Sequence, residues 1–318
     1  MKKYLFHFIK GIAMGIANVI PGVSGGTIAL ITGIYEELIN SLKSFDNKAL
    51  KYILSFKIKE FIDYTNLYFL IAVFGGSIGV LFIIAYPLEF LLEHYPKLVD
   101  ALFFGLILAS IFSVGQRIKK WNASSVIAVI LGFLIAISVT NIIPHSNEND
   151  NLFYIFLCGI ISISGMMLPG LSGSYILILL GNYKFIFATT LTGFLVSIRA
   201  IFDSNLCFDY LPLTILSVFC AGSLFGLLSF SHFLSWLLKK YKDQTLATLT
   251  GFIAGSLTII WPWKEVGKSI QIGNSVKTTD YDLLLPKEIN QENLIAVALI
   301  ISGIIVVYLM ESFSTKNK

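Results

Sequence analysis

Apolar residues run almost without interruption through six stretches of the chain, at about residues 67–92, 98–115, 124–143, 210–238, 245–260 and 294–310. A helix rises 1.5 Å per residue, so about 20 residues cross the roughly 30 Å hydrocarbon layer of a bilayer, and each stretch predicts a transmembrane helix. Two more apolar stretches, 8–39 and 152–181, are broken at their centres by P-G-V-S-G-G-T (Pro21 to Thr27) and P-G-L-S-G-S-Y (Pro169 to Tyr175). Proline has no N–H and clashes with the preceding turn, so a helix ends there. Lipid cannot satisfy the peptide groups this frees, and such a break is tolerated at membrane depth only inside protein or beside a watery cavity. Neither half of a broken stretch is long enough to span, so both stretches are expected to be re-entrant helical hairpins.

The two breaks are copies of one another. At an offset of 148, Gly11, Pro21, Gly22, Ser24, Gly25, Ile28, Gly33 and Tyr35 match Gly159, Pro169, Gly170, Ser172, Gly173, Ile176, Gly181 and Tyr183. At an offset of 146 the likeness continues, with Gly76, Ser77, Leu81, Tyr95, Gly105 and Ser110 matching Gly222, Ser223, Leu227, Tyr241, Gly251 and Ser256. Two matches sharing nearly one offset indicate duplication. The expected fold is an all-α polytopic membrane protein of two repeats, 1–145 and 146–318, each a re-entrant hairpin followed by three transmembrane helices. Three crossings are an odd number, so the second repeat enters from the opposite side and the repeats are inverted. In transporters built this way the binding site lies near the midplane where the copies meet.

Composition removes the soluble alternative. Of 318 residues, 56% are apolar or aromatic and 13% charged, with a mean hydropathy of +0.79, against about 25% charged in soluble domains. The net charge of +4 is not a nucleic-acid signature, because the basic residues gather in short loops. Lys2, Lys3, Lys10, the lysines of 43–65, Arg117, Lys119, Lys120, Lys239, Lys240, Lys242, Lys316 and Lys318 fall on one side of the predicted topology. By the positive-inside rule that side, with both termini, is cytoplasmic. The start, M-K-K-Y-L-F-H-F-I-K, lacks a small-residue cleavage site and is expected to belong to the mature protein. Cys158, Cys207 and Cys220 lack the spacing of a disulfide framework or metal site, and no cofactor is expected. Segments 43–65 and 185–209 follow the two hairpins and are expected to be interfacial helices. The polar loop 261–293 is the one sizeable extramembrane piece, on the extracytoplasmic side.

A helix that starts after P-G-x-S-G-x aims its backbone N–H groups and the positive end of its dipole into the membrane interior, which favours an anion. Ser24 and Thr27 in the first copy, and Ser172 and Ser174 in the second, add hydroxyl donors, while Gly22, Gly25, Gly26, Gly170 and Gly173 let a ligand approach the backbone. The same serines are also suited to capping their own helices. Arg199 sits among apolar residues, where it calls for an anionic partner or for Asp203. Glu89 and Glu93 lie four apart at the end of a crossing helix and are candidates for a proton or cation gate, as is His232 for a titrating switch. Arg117 opens the R-I-K-K loop and reads as an orientation signal.

The first broken segment, G-I-A-M-G-I-A-N-V-I-P-G-V-S-G-G-T-I-A-L-I-T-G-I-Y-E-E-L-I, resembles the polyprenyl-phosphate transporter family of bacteria; P-G-L-S-G-S-Y-I-L-I-L-L-G-N-Y is a looser, correctly placed second copy. The resemblance implies a flippase of the cytoplasmic (inner) membrane that returns undecaprenyl phosphate from the outer to the inner leaflet for reuse in peptidoglycan and other envelope polymers. A lipid phosphate and membrane lipids would be its partners. Under that implication the glycines and hydroxyls of the two turns cradle phosphate; Arg199, by its position and not by any motif of the family, would supply the neutralising charge. Membrane undecaprenyl-diphosphate phosphatases share the plan, but their P-G-x-S-R-S segment carries an arginine where this chain has Gly25 or Gly173, and they use a paired-glutamate motif. Without a cation beside the serine, phosphoryl charge lacks a stabiliser, so no catalytic residue is assigned. An anion channel would use the same hairpins around a continuous water path.

Overall fold

The computed structural model of the chain describes residues 2–19, 24–140, 148–190, 193–194, 196–197, 210–266, 269–272, 275–278, 281–286 and 290–316. The first broken stretch gives α1 (Lys2–Val19), α2 (Gly25–Ile31) and α3 (Tyr35–Lys43). Two short amphipathic helices follow, α4 (Asn47–Leu54) and α5 (Ile58–Thr65), and then three long ones, α6 (Leu67–His94), α7 (Pro96–Gly115) and α8 (Ala123–Thr140). The second broken stretch gives α9 (Leu152–Met167) and α10 (Gly173–Leu179), followed by a π-helical segment Phe185–Thr190. Three long helices again close the series, α11 (Tyr210–Lys240), α12 (Lys242–Ser256) and α13 (Gln291–Lys316). Each of the six uninterrupted apolar runs therefore falls on a helix over most of its described residues. Among the described residues, Pro96–Gly115, Tyr210–Lys240 and Gln291–Leu309 are each long and apolar enough to cross a bilayer, and α5 and the start of α6 form a fourth candidate bent by 63°. The run at 245–260 is helical only to Ser256.

Both short helices end in the same way. Gly33 (φ 74°) and Gly181 (φ 78°) take the left-handed conformation. Ile34 N–H donates to Ala29 O at 3.0 Å and Asn182 N–H to Leu177 O at 3.2 Å, while Gly33 and Gly181 N–H donate to Leu30 and Ile178 O. This is the Schellman closure, which needs a glycine just past the helix because other residues resist that backbone angle. Each short helix folds back along the helix before it. Lys10 Nζ reaches Thr32 O at 2.9 Å and Gly25 N–H reaches Asn18 Oδ1 at 2.7 Å. In the second stretch Tyr154 Oη reaches Leu180 O at 2.7 Å.

The chain divides into two compact units that cut across the expected boundary at 145. One comprises residues 1–141, 168–171 and 231–318, the other 142–167 and 172–230. Long helices meet through glycines that bring one backbone against another, as membrane helices do where apolar surface alone supplies little drive to associate. In the first unit a Cβ at Gly11 would strike the carbonyl of Val73, and one at Gly76 that of Phe8, pairing α1 with α6. In the second unit the same substitutions at Gly159 and Gly222 would strike Phe219 and Phe156, pairing α9 with α11. The remaining pairs lie in the first unit: Gly105 abuts Ile300 and Gly303 abuts Leu102, while Gly251 abuts Val129 and Gly132 abuts Thr248. Thus α7 packs on α13 and α12 on α8.

The core of the second unit gathers Cys158, Leu177 and Ile186 with Tyr154, Leu180, Phe185, Leu216 and Phe219. Cys158 and Cys220 are free thiols, and Cys207 lies outside the described residues. The expected helix at 185–209 is represented by Phe185–Thr190, and most of its remainder lies outside the described residues. The 261–293 loop adds four short strands to the helical architecture. Lys264–Val266 pairs antiparallel with Tyr281–Leu283, and Ser269–Ile272 with Ser275–Thr278, both pairs in one register. Trp261 Nε1 donates to Leu284 O at 2.7 Å, Trp263 Nε1 to Asn293 Oδ1 at 2.8 Å, and Lys264 meets Asp100 at 2.8 Å, so W-P-W ties the base of this arm to the ends of α7 and α13.

Candidate functional site

At the first break Ser24 has the extended backbone of a helix N-cap (φ −118°, ψ 135°) and its Oγ accepts the N–H of Gly26 at 3.1 Å. Ser24 O accepts the N–H of Thr27 at 2.9 Å, and Asn18 Oδ1 takes the N–H of Gly25. The three leading amides of α2 thus already have acceptors, and Ser24, Gly25, Gly26 and Thr27 are all buried. An anion at this turn would have to displace Asn18 or Ser24. Asn18 was not among the residues singled out from sequence; its signal was a lone amide side chain one turn before the proline.

The turn of the second motif reaches this same place. Within the first unit, Gly170 N–H donates to Thr27 Oγ1 at 3.1 Å and Ser24 Oγ donates to Leu168 O at 3.4 Å. Gly170 is held at φ +82°, and a Cβ there would lie 2.5 Å from the carbonyl of Phe252. Both features demand glycine. The Thr27 hydroxyl accepts from Gly170, while its own proton finds no acceptor among the described residues.

The second short helix starts differently, as seen within its own unit. Ser172 copies the N-cap backbone (φ −106°, ψ 127°) but makes no capping bond. Its Oγ instead lies 2.8 Å from Ser174 Oγ in an exposed position. The amides of Gly173 and Ser174 find no acceptor among the described residues. Gly173 is required by packing, since a Cβ there would come within 2.6 Å of the carbonyl of Ser162. Two amides and one of the two hydroxyl protons are therefore left as hydrogen-bond donors at one open turn. Such a group can hold an oxyanion.

The far end of α2 carries positive charge. Arg117 donates from Nη1 to Leu30 O at 2.7 Å and from Nη2 to Ile31 O at 2.9 Å, beside the Lys10 contact to Thr32 O. Cations there complement the negative end of the helix dipole. Burial lowers the Arg117 pKa and the carboxylates of Glu311 and Glu36 oppose that shift; a guanidinium stays charged regardless. Read from sequence as an orientation signal, Arg117 is also a C-terminal cap of the broken helix.

Gly22 and Arg199 lie outside the described residues. Glu89 and Glu93 fall in the last two turns of α6, and their side chains lie outside what is described. His232 is half-buried on α11 and acts electrostatically on Asp46. Partial burial raises the Asp46 pKa, but hydrogen bonds from Tyr64 and from the amides of Ala49 and Lys48, with His232 nearby, hold it below the ordinary carboxylate value.

A polyprenyl-phosphate transporter of Vibrio cholerae serotype O1 is 38% identical over 262 residues, covering 82% of this chain and 79% of that protein. A polyprenyl-phosphate transporter of Staphylococcus aureus is 28% identical over 270 residues, covering 80% of this chain and 86% of that one. No solved structure matches the chain. The family described as VCA0040-like, undecaprenyl phosphate translocase-like, matches residues 14–277, a span that contains both proline-broken turns and the helices packed on them, and the chain belongs to that family.

Proposed function

We propose that the protein is a membrane transporter for a polyprenyl phosphate, and that it carries undecaprenyl phosphate from the outer to the inner leaflet of the bacterial cytoplasmic membrane. The observation that carries this reading is the open turn at Ser172 to Ser174, where the two amides and the one hydroxyl proton left over from the Ser172–Ser174 hydrogen bond have no acceptor among the described residues. A phosphate monoester needs several donors at one point and an opening toward lipid for its tail. The buried first turn, with Asn18 and Ser24 already engaged, acts as the anvil against which the Leu168–Leu171 turn is set. In this reading Arg199 supplies the neutralising charge, Gly22 is a further candidate for phosphate contact, and Glu89, Glu93 and His232 are the groups available for gating.

Inverted repeats with re-entrant hairpins support alternating access in this reading. The contact of Gly11 with Val73 recurs at the offsets found in sequence as that of Gly159 with Phe219, and Gly105 and Gly251 correspond at the second of those offsets, each abutting the last long helix of the other half. Both termini then face the cytoplasm.

Purified protein in liposomes should speed leaflet exchange of a short-chain polyprenyl phosphate over empty liposomes, and equality of the two rates would reject transport. Release of inorganic phosphate would favour hydrolysis. The double substitution Ser172→Ala with Ser174→Ala should depress exchange at least tenfold, on the basis of about 1.5–3 kcal/mol per hydrogen bond to a charged group. Ser24→Ala should act on stability first, because Ser24 is a satisfied cap.

A further inference from the structure

The pair α4–α5 presents an apolar face that no core uses. Its inner side is fixed: Asp46 accepts the amides of Lys48 and Ala49 and the hydroxyl of Tyr64 at 2.8 Å, and Phe45 meets Phe61 edge-on. Lys48 Nζ lies 4.7 Å from the centre of the Tyr64 ring. On the outer side Leu50, Ile53, Leu54, Phe56 and Ile58 are exposed, Leu54 at 71% and Phe56 at 88%. Phe56 forms the apex between the helices at φ 54°, a left-handed angle that a bulky residue rarely adopts. From Leu50 to Lys59 the strip contains three lysines, Lys51, Lys57 and Lys59, all exposed, while exposed Glu60 and Asp63 follow further along α5.

Exposed apolar residues on the long helices are accounted for by lipid tails. This pair is different, because α5 turns by 63° away from α6, an eight-residue helix cannot cross a bilayer by itself, and lysines at the apex do not belong in its centre. An apolar tip rimmed with lysine fits the headgroup layer, where the tip enters the upper acyl chains and the lysines meet phosphates. We propose that α4–α5 is a wedge seated in the headgroup layer of a leaflet rich in anionic phospholipid. A second copy of the chain fits less well, since a self-complementary contact centred on the Phe56 apex would set Lys51, Lys57 and Lys59 near their own copies, three lysines against the two acids Glu60 and Asp63 of each α5. The inference needs only that the protein is membrane-embedded, and stands apart from which lipid is transported.

Full-length protein carrying Phe56→Cys, Cys207→Ala and Cys220→Ala, with buried Cys158 kept, can be labelled at the apex with an environment-sensitive dye. It is then reconstituted in vesicles of phosphatidylcholine alone, or of phosphatidylcholine with phosphatidylglycerol. The expected result is blue-shifted emission quenched by a headgroup-proximal nitroxide lipid, with stronger quenching when phosphatidylglycerol is present and loss of that increment at high salt. Replacing Lys51, Lys57 and Lys59 by Gln should abolish the increment while thermal unfolding is unchanged. Water-like emission in both vesicles overturns the proposal. So does shielding that rises with protein density without lipid quenching, which would assign the face to a second copy. Equal quenching in both vesicles, indifferent to the lysines, overturns the anionic preference.

Discussion

Gly170 combines a left-handed backbone with a carbonyl of Phe252 where a Cβ would stand, so alanine there meets two obstacles that no side-chain rearrangement relieves. Gly170→Ala should sharply lower folded yield and thermal stability in detergent, whereas Gly75→Ala or Gly79→Ala, where nothing lies within 4 Å, should leave stability unchanged or improve it by about 0.5–1 kcal/mol. Equal behaviour of the three variants would discount the close approach. His7 gives the opposite case. It is buried edge-on against Phe69 at 4.9 Å, and neither ring nitrogen has a hydrogen-bond partner among the described residues. An unsatisfied buried polar group costs about 1–3 kcal/mol, so His7→Phe should raise the melting temperature. Asp46 links stability to pH. Its folded pKa is depressed, so its capping contribution is present above the unfolded pKa and is lost as pH falls through the folded one. The deficit of Asp46→Ala relative to the parent, measured by thermal melts, should therefore be full at neutral pH and vanish in acid. Of these residues only Gly170 is marked by its motif; the Asp46 cap is local to α4, while His7 gains its role from Phe69, distant in sequence.

Each broken helix is one element with two differently treated ends. Its P-G-x-S start and glycine stop are visible as spacing, because proline and left-handed glycine act locally. What covers the freed carbonyls is not local: Arg117 reaches α2 across 86 and 87 residues. Arg117→Gln should lower transport and loosen α2, seen as faster amide exchange in α2 and the turn at 32–34, and Arg117→Lys should recover part of it because one of two donors returns. Unchanged exchange in Arg117→Gln would dismiss the cap. The strand arm of 264–283 had a readable signal that was passed over, alternating S-I-Q-I and S-V-K-T around Gly273–Asn274. By contrast, the early end of α12 at Ser256 was hidden, because the apolar run continues past it.

Across the whole molecule, the helix pairs α7–α13 and α12–α8 each join one half of the sequence to the other. Neither half holds the partners of its own second and third long helices. Expressed separately, 1–145 and 146–318 should aggregate or be degraded, and co-expression should restore a particle that behaves as the intact chain by size exclusion in detergent. A monodisperse, folded 1–145 on its own would contradict the exchange. Sequence by itself determined the membrane class, the positions of the long helices, the duplicated breaks and the family, because hydropathy, proline and glycine speak through the nearest few residues and through motif. Only the tertiary structure decided which helices pair, that the first break is sealed by Asn18 while the second stays open, and that Arg117 caps a helix far from it in sequence. The Asn18 contact spans seven residues, but the pairs α7–α13 and α12–α8 and the Arg117 cap join segments 86 or more residues apart, and no local pattern encodes those meetings.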